Sequence, residues 1–408
     1  MKKAFVGAKI HTMEGEPIEN AILIIDGSSI VEVGENLSTD GYEVIDCKGM
    51  EITPGLIDAH SHVGLWEEGV SPGPAVGDGN ETSEAIVPYL RSMDSIFPED
   101  LGFDDARKGG VTTMGLTHGS ANPIGGQFCV VKSRGHVIDE MVIREPAGVK
   151  MAMGENPKRV GVNNKRAPHT RMAVAYLIRK SFYETLDYAQ KWEGYYKKIK
   201  SIEEGDDENK KKNDLPSKPE YDLGKEILLK VLNREIPIRC HSHRADDIRT
   251  AIRLSEEFGY KLVIDHATES SKIKEIIAEK NLPCVIGPLF GTRVKRELVN
   301  KSLKTPGIMV KAGVMVCITT DAPVIPIDGL RDTVVMAIRE GLPADRALET
   351  ITLNPAKVLN VDDRVGSLKA GKDADFVIFD GDPFDVRNRV LKTYIDGDLV
   401  YEYSEDEN

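Results

Sequence analysis

The stretch "PGLIDAHSHVG", Pro54 to Gly64, is where the fold can first be read. An apolar run ends in His60 and His62, and a glycine-containing loop follows. Side chains at i and i+2 of a strand point to the same face. The two imidazoles could therefore share one metal ion, or could simply sit together in a polar pocket. An isolated His-x-His does not choose between these, so the choice rests on the rest of the chain.

Working outward, strand-like runs alternate with helical patterns. The runs are "GVTTMGLTHG", "GVKMAMGEN", "EIPIRCHSHR", "YKLVIDHATE", "LPCVIGP" and "GVMVCITTDAP". Most are followed by an amphipathic stretch such as "ADDIRTAIRLSEEFG" or "SSKIKEIIAEKN". That alternation implies βαβ units and a parallel sheet. Most of the runs end in a chemically capable residue: His118, Glu155, His241, His266 and Asp321. An α/β barrel gathers its active site at the C-terminal ends of its strands. An open doubly wound sheet also binds ligands there, but does not draw them from so many strands.

Both ends of the chain have a different texture. "AFVGAKIHTM", "ENAILIIDGSSIVEVGENL" and "YEVIDCKGMEITP" read as short strands punctuated by turns, and "DADFVIFDGDP" and "VLKTYIDGDLVYEY" repeat the pattern. The expected architecture is α/β: a TIM-like (β/α)8 barrel over 54–355, flanked by a small β-sandwich built from 1–53 and 356–408. A helical and charged insertion over about 180–222 interrupts the rhythm. It begins inside a long helix running from Thr170 to Ile202 and continues through "EEGDDENKKKNDLPSKPEYD", a charged loop. Tyr183, Tyr188, Trp192 and Tyr196 in it read as packing or a lid surface rather than a cofactor box.

Composition excludes several classes. The chain has 408 residues, 40% hydrophobic and 29% charged, as expected of a soluble globular protein. No apolar run reaches the roughly 18 residues of a membrane span. The start, "MKKAFVGAKIHTMEGE", lacks the apolar core of a signal peptide. The 5 cysteines are scattered without Cys-x-x-Cys spacing, which fits a reducing, cytoplasmic setting. A net charge of -13 argues against nucleic-acid and anionic-membrane partners. A small-molecule substrate is expected, with a homo-oligomer left open.

The polar residues at the strand ends form a set: His60, His62, Glu155, His241, His266 and Asp321. Imidazoles and carboxylates suit zinc first, with manganese or iron as alternatives. Six donors exceed one tetrahedral site and match a two-metal centre, so one or two divalent ions are expected. Four of only 9 histidines fall at these positions, which chance placement struggles to explain.

In this order the motifs resemble the amidohydrolase superfamily of metal-dependent hydrolases, near its imidazolonepropionases, prolidase-like enzymes and adenine deaminases. "ITPGLIDAHSH" resembles the first-strand His-x-His, "IRCHSH" and "VIDHATE" the fifth- and sixth-strand histidines, and "CITTDAP" the eighth-strand aspartate. "LNPAKVLNVDDRVGSLKAGKDADFVIFDGDP" resembles the passage from barrel to flanking β-domain. The fourth strand, "GVKMAMGENPKR", offers two candidates. Lys150 stands where binuclear relatives carry a carboxylated lysine, and Glu155 resembles the bridging glutamate of adenine deaminases. Glu155 is preferred because it lies at the strand's polar exit.

The resemblance implies hydrolysis of a C–N bond in a cyclic or peptide-like amide by metal-activated hydroxide. Asp321 is expected to ligate and to carry the proton, and His243 to polarise the substrate carbonyl. Candidate substrate contacts are His118 and Asn122 in the loop "THGSANPIGGQ", together with Arg166 and Arg244. The alternatives are a deaminase of a nucleobase-like heterocycle and a non-catalytic scaffold or binding member of the fold.

Overall fold

The computed structural model describes residues 2–68, 77–203 and 216–405. At its centre eight strands pair in chain order: β1 (Leu56–Ser61), β2 (Val111–Leu116), β3 (Ile124–Lys132), β4 (Val142–Ala152), β5 (Ile238–Ser242), β6 (Leu262–His266), β7 (Cys284–Ile286) and β8 (Val316–Ile318). β5 to β8 read "IRCHS", "LVIDH", "CVI" and "VCI", and every residue in them is buried. Strands covered on both faces need such near-continuous apolar runs. The barrel closes between β1 and the segment after β8. The His62 N–H donates to Ala322 O at 2.9 Å, and the buried Asp58 carboxylate accepts from Thr320 N at 2.9 Å.

One strand departs from the (β/α)8 pattern. β3 runs antiparallel to both neighbours, whereas the other adjacent pairs are parallel. The connection from β2 spans only 117–123. A parallel return needs a crossover of about a dozen residues or more, so this link can only turn back. The last four residues of the loop expected at "THGSANPIGGQ" are therefore strand, since Ile124–Gln127 open β3.

The two ends of the chain make one eight-stranded sheet, in the order Asp398–Glu402, Val390–Ile395, Phe376–Phe379, Glu51–Pro54, Lys2–Ile10, Ile18–Asp26 and Ser29–Gly34, with Glu43–Asp46 pairing beside Lys2–Ile10. It is continuous through its hydrogen bonds rather than two separate layers, and it curls over its own core. Phe5, Phe376 and Tyr394 meet there, with ring centroids 4.6 to 5.1 Å apart. Lys132 of β3 ties this sheet to the barrel through Asp373 at 2.7 Å and Asp375 at 3.1 Å.

The long helix runs Arg171–Glu203. Its first half buries Val174, Ile178, Phe182 and Thr185 at helical spacing, and Phe182 stacks on Tyr260 at 5.1 Å. Tyr188 is buried with this face, while Tyr183 and Tyr196 are exposed. Of the charged loop expected after it, 204–215 lie outside the described residues. All five cysteines are buried free thiols. Among the described residues no helix is long and apolar enough to cross a membrane.

Candidate metal centre

The strand ends bring two groups of donors into the barrel mouth. The first is His60, His62 and Asp321; the second is His241, His243 and Glu297. His60 and His62 share a face because β1 stays extended through Ser61. Their Nε2 atoms lie 3.6 and 3.2 Å from Asp321 Oδ1. His266 sits between the groups, its ring centroid 4.8 Å from that of His60 and 4.4 Å from that of His241.

The outer nitrogens fix the tautomers. His62 Nδ1 lies 2.5 Å from Thr117 O and His266 Nδ1 2.8 Å from Gly287 O. A carbonyl only accepts, so each Nδ1 carries a hydrogen and Nε2 is the atom turned to the centre. His60 Nδ1 lies 3.1 Å from the Asp265 carboxylate and follows the same logic. Asp265 is itself gripped by Arg239, whose Nε and Nη2 donate to Oδ1 at 3.1 and 2.8 Å, all fully buried. Outer partners of this kind orient metal-ligating histidines.

Charge follows the geometry. Burial pushes the His60, His241 and His243 imidazoles well below their ordinary range, and His266 down to about 4, so these four rings are neutral near pH 7. Burial alone would raise Asp321, but His266, His62 and His60 outweigh it and keep it an anion. Asp321 and His266 both hold left-handed backbone, φ 56° and 69°. Non-glycine residues sustain this only where the surroundings over-determine it, as at functional sites.

A divalent cation fits these residues. Asp321 Oδ1, His243 Nε2, His241 Nδ1 and Glu297 Oε1 are buried without a hydrogen-bond partner, a donor set of neutral imidazoles and carboxylates.

The other expected residues are engaged differently. Glu155 opens the helix Glu155–Asn163, and its backbone N–H donates to Glu297 Oε2 at 3.0 Å. Its side chain belongs to neither donor group. Lys150, inside β4, places Nζ 3.1 Å from His60 Nε2, and burial brings it down to about 8. Both His118 nitrogens are used by backbone, Nδ1 by Gly119 O at 2.8 Å and Nε2 by Gly126 N–H at 2.5 Å. Asn122 donates to Glu81 O and Glu84 O, and Arg166 to Thr82 O and Glu84 O, so both hold the 81–84 segment in place. Arg244 pairs with Asp246 at the surface.

Sequence reasoning missed Glu297, Arg239 and Asp265. Glu297 hides in the charged string "VKRELVN". Arg239 and Asp265 sit in apolar strand runs, where an uncommon charge was the available signal.

A family model described as the amidohydrolase family matches residues 224–401. The crystal structure of an amidohydrolase from Thermotoga maritima MSB8 is 40% identical, covers 98% of this chain and 100% of that one, and superposes with a TM-score of 0.90. Among curated proteins, the amidohydrolase tasK of Hapsidospora irregularis is 28% identical over 88% of this chain, which spans 37% of that relative's length. A 5-methylthioadenosine/S-adenosylhomocysteine deaminase of Bacillus cereus strain ATCC 14579 is 23% identical over 93% of this chain and 86% of its own. With the barrel, the strand-end histidines and this likeness along nearly its whole length, the chain belongs to the amidohydrolase family.

Proposed function

We propose that the chain hydrolyses a C–N bond in a small cyclic or peptide-like amide, with a divalent cation held by His60, His62 and Asp321. The observation that carries this is the convergence of the His60 and His62 Nε2 atoms on Asp321 Oδ1, at 3.6 and 3.2 Å in a buried site. When bound, such a cation supplies Lewis acidity, bringing the pKa of water to about 7. Zinc suits the nitrogen and oxygen donors and is the first metal to load.

Asp321 carries the proton. Its Oδ1 has no hydrogen-bond partner and is positioned to accept a proton from the attacking water. Water oxygen adds to the carbonyl carbon, the C–N bond breaks, and Asp321 returns the proton to the departing nitrogen. Asp265 and the Thr117 carbonyl keep His60 and His62 in the tautomer that leaves Nε2 free.

A second reading, deamination of an amino-substituted heterocycle, is favoured by the likeness to the Bacillus cereus deaminase. The same proton transfers serve both. The zinc-loaded protein is incubated with cyclic amides, dipeptides and N-acyl amino acids, and separately with aminated heterocycles. A new carboxylate paired with an amine supports the first reading; free ammonia with a ring oxygen supports the second. Asp321→Asn should lower either rate by about 10²–10⁴-fold while melting normally. Turnover unaffected by that change would remove Asp321 from the chemistry.

A further inference from the structure

The chain has 2 tryptophans, and one of them, Trp66, follows His62 by one turn of backbone. The Trp66 N–H donates to His62 O at 3.0 Å, and the indole meets the His62 imidazole edge to face, with ring centroids 4.4 Å apart. A large apolar ring therefore stands directly beside the polar centre.

Trp66 is half-buried, and what covers it is glycine backbone. A Cβ on Gly79 would fall 2.0 Å from Nε1, one on Gly119 2.7 Å from Cη2, and one on Gly77 3.0 Å from Cδ1. Two separate segments thus place glycine where a side chain would crowd the indole, the usual reason for glycine at a close approach.

The segment carrying Gly77 and Gly79 is fastened down, although 77–84 has neither helix nor strand. Gly119 N–H donates to Gly79 O at 2.6 Å, and Ala121 N–H to Asn80 Oδ1 at 3.2 Å. Further on, Asn122, Asn164 and Arg166 donate to the carbonyls of Glu81, Thr82 and Glu84 at 2.8 to 3.2 Å. Side-chain donors here replace the backbone partners that regular structure would supply. The result is a strap held in one place against the indole.

We infer that Trp66, seated against this strap, is a specificity-determining wall of the substrate site, and that it takes a flat apolar group, an aryl or heteroaromatic ring, carried next to the C–N bond that is cleaved. An indole offers rigid apolar area and a π-system against which another ring packs offset or edge to face. This rests on the hydrolytic reading above and narrows its substrate class. Asn122 and Arg166 then act as positioning residues through the strap and do not touch the substrate.

Trp192→Phe leaves Trp66 as the only tryptophan, so emission from the full-length, zinc-loaded protein reports binding at this ring without turnover. The probes are matched pairs, N-benzoylalanine against N-acetylalanine and 5-phenylhydantoin against hydantoin. The aryl member of each pair should shift the emission and bind about tenfold tighter. By calorimetry, Trp66→Ala should erase that preference and Trp66→Phe keep most of it. Where a pair is turned over, Trp66→Ala should raise KM for the aryl member about tenfold while kcat nearly holds. Arg166→Met frees the strap with the ring still present, and should weaken aryl binding in the same direction. Zinc content and melting curves accompany each variant; if Trp66→Ala loses zinc or melts early, the emission shift and Arg166→Met carry the test. Aryl and alkyl members bound equally would overturn the inference, as would Trp66 emission that neither aryl probe changes. An aryl preference with no hydrolysis of any probe would support the wall and count against the hydrolytic reading alone.

Discussion

Lys150 Nζ lies 3.1 Å from Nε2 of His60, inside the barrel and out of contact with water. A buried lysine beside a neutral imidazole is costly unless it is itself neutral, modified or paired. Burial lowers it to about 8 although Asp265 and Asp321 pull the other way. The fourth-strand contribution to the centre is therefore expected from Lys150 and not from the Glu155 side chain. Carboxylated, as the family resemblance implies, Lys150 would be a ligand, and Lys150→Met should then weaken zinc affinity about 10-fold or more. Glu155→Gln should leave it unchanged. Competition against a chromophoric chelator measures both.

Asp265 takes its charge balance from Arg239, and neither reaches solvent. Arg239→Met removes the partner and strands a buried carboxylate behind His60. The expected cost is about 3–5 kcal/mol, the range for breaking one half of a buried pair. Urea unfolding of the metal-free protein reads it directly. A loss well under this would mean that Asp265 takes up a proton instead.

Much of this centre could be read from the residues, for a physical reason. Strand period and apolar content are local properties, so "LIDAHSH" and "LVIDHATE" announce both a strand and what stands at its end. The helix expected over 170–202 runs Arg171–Glu203 because its apolar spacing is equally local. β3 escaped because Gly125 and Gly126 mark turns in isolation, whereas here they admit close neighbours. A Cβ on Gly125 would fall 2.2 Å from His118 Cε1, and one on Gly126 2.6 Å from Leu90 O. The preference for Glu155 over Lys150 followed the polar exit of the strand. The strand's last residue is Ala152, and Lys150 shares its face one step deeper. Glu297 owes its place to a loop conformation, which no periodicity encodes.

His118 was a candidate for the substrate, and its contacts give it another duty. Burial lowers it to about 3, so it stays neutral through the working range, bridging Gly119 O and Gly126 N–H. His118→Leu leaves both backbone groups unpaired. It should cost about 1–3 kcal/mol of stability while KM holds steady. An increased KM with an unchanged Tm would return the imidazole to the substrate.

The junction between barrel and terminal sheet should respond to pH. Burial raises Asp375 from its ordinary 3.8 to about 6, despite Lys132 at 3.1 Å. Between those values the folded chain keeps a proton that the unfolded chain has released, so stability declines as pH climbs from about 4 to about 6 and then levels. The full effect is about 3 kcal/mol. Asp375→Asn should flatten this limb, leaving it less stable than wild type at no pH above 6. Urea midpoints at a series of pH values, wild type against variant, provide the comparison.

The terminal sheet joins Glu51–Pro54 to Phe376–Phe379, partners separated by the entire barrel in the sequence. On the ribosome, Lys2–Ile10 and its neighbours emerge before the barrel and face a wait for the strands that complete them. Through that interval the edge of Glu51–Pro54 is an open row of backbone donors and acceptors. Synthesis of Phe376–Phe379, rather than local propensity, is thus the event that seals this half of the molecule. A nascent chain halted before Phe376 would present an unsealed edge to its neighbours on the same message.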